Sequence, residues 1–282
     1  MKNNIVVGTD FSENSINALK HATSIADKAK CNITLIWVET PGTTLGLMAE
    51  NVSDYRVIAQ KRLEEIAKDH KNLMPDGTKI NVKIRQGRPY TELAKDAEEN
   101  DALMIVVGAH GVSGYQESFI GNNAYRTVMS AKCPVLTIHD EVKISRALTD
   151  IVVLIDSTHN TLHKLPFAIK MAKLFNAKIH LLCLYTSSHI STQTMADAHL
   201  KLAEKYLNEA NVRFNKTTLE SFNITNTTKR FAAEIDANLV VIMSEQDDFG
   251  TWLGDSSREL VNKIKTPLLC IHPDDKVYEI TK

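Results

Sequence analysis

Two apolar rhythms alternate along this chain. Short runs rich in β-branched and other apolar residues fall at 5–7, 33–38, 80–84, 104–107 and 135–138. Runs this brief and this apolar suit strands whose two faces are both covered. Between them, apolar positions recur at helical spacing, first at Ile16, Leu19, Ala22 and Ile25, with Ser12 or Asn14 placed to cap that helix. Further helices are predicted over 57–67, 90–98 and 122–130. Strands that alternate with helices predict right-handed crossovers and a mostly parallel sheet covered on both sides. In open sheets of this kind, ligands sit at the carboxyl ends of the strands, where the strand order reverses.

The pattern then occurs a second time. NIVVGTDFSENS near the start is echoed by DIVVLIDSTHNT, NDALMIVVG by IDANLVVIM, and CPVLTIHD by TPLLCIHP. Asp10 therefore matches Asp156, an offset of 146, whereas Gly121 matches Gly254, an offset of 133. The second copy has lost residues in its middle. The expected fold is α/β: two tandem, open-sheet, Rossmann-like domains with five-stranded, mostly parallel sheets. They should span 1–143 and 148–282, with the junction near 141–149.

Composition narrows the class of partner. A chain of 282 residues suits two domains, and 43% hydrophobic with 24% charged residues lets each bury a core. A formal net charge of −1 gives no electrostatic reason for a nucleic-acid or membrane partner. The N-terminus has too short an apolar run for a signal peptide, so a cytoplasmic location is expected. Cys31, Cys133, Cys183 and Cys270 show no CxxC spacing, which favours buried reduced thiols over a metal site or disulfides.

The densest chemical signal is VVGAHGVSGYQESFIGNNAYRTV, which starts as a strand and ends as a helix. Gly108 and Gly111 would let the backbone turn with its amides inward, and Gly121, Asn122 and Asn123 open a helix whose free N–H groups favour an anion. Together these make a cradle for a polyphosphate, or simply two turns and a helix cap. Arg88, after the third strand, either reaches a phosphate or is solvated. In the second copy, Met243 takes the place of Gly108, and Glu245, Asp247, Asp248 and Asp255 bring carboxylates where a phosphate would lie.

In the opening VVGTDFSENSINALKHA, the three glycines and the closing CPVLTIH, the chain resembles the universal stress protein family in its two-domain arrangement. The resemblance spans both halves. Nucleotide-binding members carry Gly-x2-Gly-x9-Gly followed by Ser or Thr; here Asn122 stands at that last place. By resemblance, Asp10 and the main chain at Val38 would hold an adenosine, with Thr9 and His110 beside them. The implied cofactor is ATP or a related adenine nucleotide, with or without Mg. Any hydrolysis would be slow, since neither catalytic loop of the family's ATP-splitting fold relatives is present. The resemblance further implies that the two domains pair through their last strands, as separate chains of the family do, and it admits a homodimer. A stress scaffold that works through protein contacts, without nucleotide, is the alternative.

Overall fold

The computed structural model describes residues 4–40, 52–109, 122–139, 148–244 and 255–272. They fall into two units, Met1–Asp140 and Glu141–Lys282.

In the first unit, β1 (Asn4–Thr9), β2 (Asn32–Glu39), β3 (Ile80–Gln86), β4 (Met104–Gly108) and β5 (Val135–Ile138) alternate with α1 (Glu13–Ala29), α2 (Val52–His70), α3 (Pro89–Glu99) and α4 (Asn122–Ser130). A short 3-10 turn, Lys71–Leu73, follows α2. The strand order is β3-β2-β1-β4-β5, and each pairing in it is parallel. The chain leaves β1 toward β2 and β3, then returns to the other side of β1 for β4. The order thus reverses between β1 and β4, so their carboxyl ends face the crevice that this topology opens.

Local sequence fixes the ends of these elements. Ser12 caps α1 by accepting the Ser15 N–H, while Lys30 closes the helix in a left-handed conformation with its N–H on the Ala26 carbonyl. Pro89 opens α3, where its missing N–H costs nothing. The apolar side of α1 (Ala18, Leu19, Ala22, Ile25 and Ala26) is buried, as are Ile5, Ile33, Leu35 and Ile36 on the strands. Each large aliphatic side chain so buried contributes about 1.5–3 kcal/mol relative to an exposed one. The third strand departs from the double-sided burial expected of it. No residue of β3 is fully buried, because in this order it has one neighbouring strand only.

The second unit repeats the plan with β6 (Asp150–Ile155), α5 (Leu165–Phe175), β7 (Lys178–Tyr185), α6 (Ile190–Glu209), β8 (Phe214–Glu220), α7 (Ile224–Glu234), β9 (Leu239–Met243), α8 (Asp255–Lys263) and β10 (Leu268–Ile271). Its order, β8-β7-β6-β9-β10, is again parallel in each pairing. Its first helix starts late. Pro166 lies in the first turn of α5 and suits only a helix start. All four cysteines are buried and none is in a disulfide. Among the described residues, no helix is long and apolar enough to cross a membrane, and no three His, Cys, Asp or Glu side chains gather as a metal site would need.

Candidate functional site

The candidate site of the first unit is assembled on three adjacent strands. Thr9 ends β1 and pairs in register with Trp37, so Val38 lies one residue further along β2. Gly108 ends β4 on the opposite side of β1. Thr9, Asp10, Val38 and Gly108, distant in sequence, therefore share one sheet edge. Asn122 and Asn123 open α4, where Asn123 is exposed and its carbonyl accepts the Thr127 hydroxyl at 2.7 Å. His110, Gly111 and Gly121 lie outside the described residues, as does the 41–51 segment after β2.

The turn after β1 is held by its own side chains. The Asp10 Oδ1 accepts the Ser12 N–H at 3.0 Å and the Ser12 hydroxyl at 2.5 Å. Thr9 Oγ1 accepts the Phe11 N–H at 3.0 Å and lies 2.9 Å from Ser15 Oγ. These bonds satisfy the polar groups of a turn that is largely out of water.

Phe11 is the unusual residue here. Its φ of 66° is left-handed, a conformation that disfavours any side chain with a Cβ and a bulky ring above all. What holds it is packing. The ring stacks on Trp37 with centroids 6.0 Å apart and an interplanar angle of 25°. The guanidinium carbon of Arg62, from α2, lies 4.9 Å from the ring centroid. Both rings are nearly buried, so the strain is offset by contacts on either side of the ring.

Gly108 is explained by close approach. A Cβ built there would stand 2.9 Å from Asn14 Nδ2 and 3.2 Å from the Asn14 backbone carbonyl carbon. The first turn of α1 thus presses against the end of β4, and only glycine leaves it room. Sequence spacing pointed to this glycine as a turn former. In the structure it is the last paired residue of a strand, opposite Ile138.

Beside this edge, the Glu39 carboxylate is engaged by Arg56 through Nε at 2.8 Å and Nη2 at 2.6 Å. Gly87, at φ 144°, gives its N–H to the Glu39 carbonyl, and the chain then passes into α3. Two residues that the sequence reading did not single out now join the neighbourhood: Phe11 and Arg62. The tripeptide Asp-Phe-Ser held the signal for the first, since a turn that tight leaves the middle residue few conformations. No local pattern signals the second.

The second unit keeps the turn and sets a different group of side chains beside it. Asp156 Oδ1 accepts the Thr158 N–H at 2.9 Å and its hydroxyl at 2.5 Å, as Asp10 does with Ser12. Lys164 occupies the place of Ala18 and is 2% exposed, its ammonium donating to Thr161 Oγ1 at 3.0 Å. The same hydroxyl accepts the Asp156 N–H at 3.2 Å. The His199 Nδ1 meets the Asp156 carbonyl at 2.8 Å, and buried Met243 stands where Gly108 stands in the first unit. Burial first, then the charges of Asp197 and Asp156, push the Cys183 thiol up to about 12. Glu245, Asp247, Asp248 and Gly254 lie outside the described residues.

Comparison with known proteins agrees with this doubled architecture. The sequence profile of the universal stress protein family matches twice, over residues 1–139 and 148–272. Universal stress protein MJ0531 of Methanocaldococcus jannaschii is 32% identical over 136 residues, which are 48% of this chain and 80% of that protein. Universal stress protein YxiE of Bacillus subtilis is 26% identical over 49% of this chain and 99% of its own length. A universal stress protein from Archaeoglobus fulgidus has the same fold over 96% of each chain, with a TM-score of 0.76 at 18% identity. Two family matches, each on one of two α/β units, place this chain in the universal stress protein family as a member that carries the domain in tandem.

Proposed function

We propose that the first unit binds ATP or a related adenine nucleotide at the strand edge formed by Thr9, Asp10, Val38 and Gly108, and that the chain acts in the cytoplasm as a nucleotide-responsive stress factor. The observation that carries this reading is the strained left-handed Phe11 next to Asp10, at the point where the strand order reverses. Strain of this kind gathers at functional sites, and this position is where open sheets bind ligands. The glycines at 111 and 121 and the amides that open α4 would receive the phosphates, with His110 beside them and Mg as the natural counter-ion. The sequence carries neither catalytic loop of the fold's ATP-splitting relatives, so the role we propose is binding, with slow turnover at most.

Asp10 already holds the turn, its Oδ1 accepting from Ser12, so a ligand contact would add to that structural role. Calorimetric titration of the whole chain with ATP tests the reading. It should report about one site per chain, and Asp10→Ala should weaken it by at least about tenfold. Absence of heat at millimolar ATP, or equal binding by Asp10→Ala, would refute it.

A second reading has its own support, in the second unit. Phe222 is 87% exposed and Ile190 80% exposed, on segments that both follow strands of that unit's carboxyl edge. A protein-contact role for the second unit is consistent with these two. From the sequence we extend the proposal to pairing of the two units through their last strands, since the junction near 141–149 is short and lacks Gly and Pro. Small-angle scattering from two separated lobes would overturn that pairing.

A further inference from the structure

The unassigned feature of the first unit is a pair of arginines on one tyrosine. Arg88 is the N-cap residue of α3, Tyr90 is the second residue of that helix, and Arg126 is the fifth residue of α4. The guanidinium carbon of Arg126 lies 5.3 Å from the Tyr90 ring centroid, and Arg88 Nη1 donates to the Tyr90 hydroxyl at 3.3 Å. Both arginines are exposed and the tyrosine is half-buried. Among the described residues, neither guanidinium has a carboxylate within ion-pair distance. The nearest acid on the same helix, Glu92, packs against Gly87 instead.

The second unit supplies an internal control. Its N-cap at the matching helix is Asn223, which caps α7 through the Asn226 N–H at 2.8 Å. The second residue of α7 is Thr225 and the fifth of α8 is Glu259, and the Thr225 hydroxyl donates to Glu259 at 2.9 Å. Glu259 is also paired with Lys263. The same two helix positions meet in each unit, but a cation on a ring in one is a neutralised acid on a hydroxyl in the other. A contact needed only to pack the two helices would not require this change of sign.

We propose that Arg88 and Arg126, steadied by Tyr90, hold a polyphosphate anion at the N-terminal ends of α3 and α4. Two guanidinium forks brought to one ring repel each other, and a phosphate relieves that repulsion while accepting bonds from both. The ring limits the freedom that free arginines would lose on binding. The anion is the tail of the nucleotide, a source that rests on the reading of the strand-edge site above, or a free inorganic polyphosphate. In the first case these arginines set the preference for a triphosphate over a monophosphate.

The test uses the full chain and four probes: adenosine, AMP, ATP and inorganic tripolyphosphate, each titrated calorimetrically into wild type, Arg88→Gln, Arg126→Gln and Arg126→Lys. Circular dichroism checks that each variant is folded, which is expected because both side chains are exposed. Either glutamine variant should lose about tenfold in ATP and tripolyphosphate affinity with adenosine unchanged, and Arg126→Lys should recover part of the loss. Wild type that binds tripolyphosphate but no adenosine supports the arginine site and removes the nucleotide as its source. Wild type that binds ATP, with variants unchanged or weakened equally for adenosine, overturns the arginine site and leaves the strand-edge site standing. No binding of either phosphate probe overturns it as well.

Discussion

Phe11 and Gly108 are two opposite uses of one crowded corner. Phe11 keeps a side chain where the backbone favours none, and Gly108 gives one up where helix α1 leaves no room. Substitution should show this difference in urea melts. At position 11, both Phe11→Ala and Phe11→Gly lose the stacking on Trp37, but alanine keeps the left-handed penalty and glycine does not. Phe11→Gly should therefore be the more stable of the two by about 1 kcal/mol, the reverse of the usual ranking, and the prediction fails if alanine wins. Gly108→Ala should cost about 1–3 kcal/mol, as overpacking does, and a wild-type midpoint would mean that Asn14 moves aside freely. Asp10 and Val38 came from the family resemblance and Gly108 from the glycine spacing, and the structure brings these positions to one sheet edge. Arg62 and Arg126 could not be named from the sequence, since a helix spacing says which face a residue lies on but not which ring in another element it meets.

Elements in the two units differ in how they are tied to the sheet. On the outer strand of the first, Asp96 of α3 is fully buried and accepts from Lys83 at 2.7 Å and Arg85 at 2.5 Å, both on β3. Asn100 adds a third bond, to Oδ2, at 3.1 Å. Removing that carboxylate leaves Lys83 without a partner and Arg85 with Glu99 alone, so Asp96→Ala should destabilise the chain by about 1–3 kcal/mol, whereas Lys83→Met should cost less because Arg85 remains. Comparable losses would refute this ranking. In the second unit, the bond to Asp197, then burial, pushes the Tyr185 hydroxyl up to about 12, and the Cys183 thiol is likewise at about 12. Both folded values stand above the ordinary 10.0 and 9.0, so the unfolded chain releases these protons first. Their stabilising effect is complete below pH 9 and is lost as pH rises through 9 to 12. Tyr185→Phe should flatten that alkaline decline by roughly one proton's worth of slope, and an unchanged slope would exclude Tyr185 as its source. Strand and helix periods made the element order legible in advance. The exposure of β3 was not legible, because edge position depends on strand order, which no local period encodes.

Taken as one molecule, the chain is a duplication whose halves have parted in chemistry while keeping their fold. The repeat was visible in the sequence because strand ends and the closing Pro motif recur. The buried Lys164 was not, because it reads as an ordinary helix-start lysine until its burial is seen. The glycine spacing that the first half alone keeps predicts the binding stoichiometry: nucleotide should saturate the chain in a single hyperbolic phase, and two phases or a sigmoid would show a working second site. The buried lysine also bears on how one half could be converted into the other. Lys164→Ala alone would empty a fully enclosed volume and strip the Thr161 hydroxyl of a donor, and Met243→Gly alone would open another gap in the core. Each single step toward the first unit's arrangement therefore loses stability. The buried ammonium works as a latch: a variant that imitates the first half has to replace Lys164 and refill its volume together, and a one-residue graft of the first half's sequence should lower the melting point.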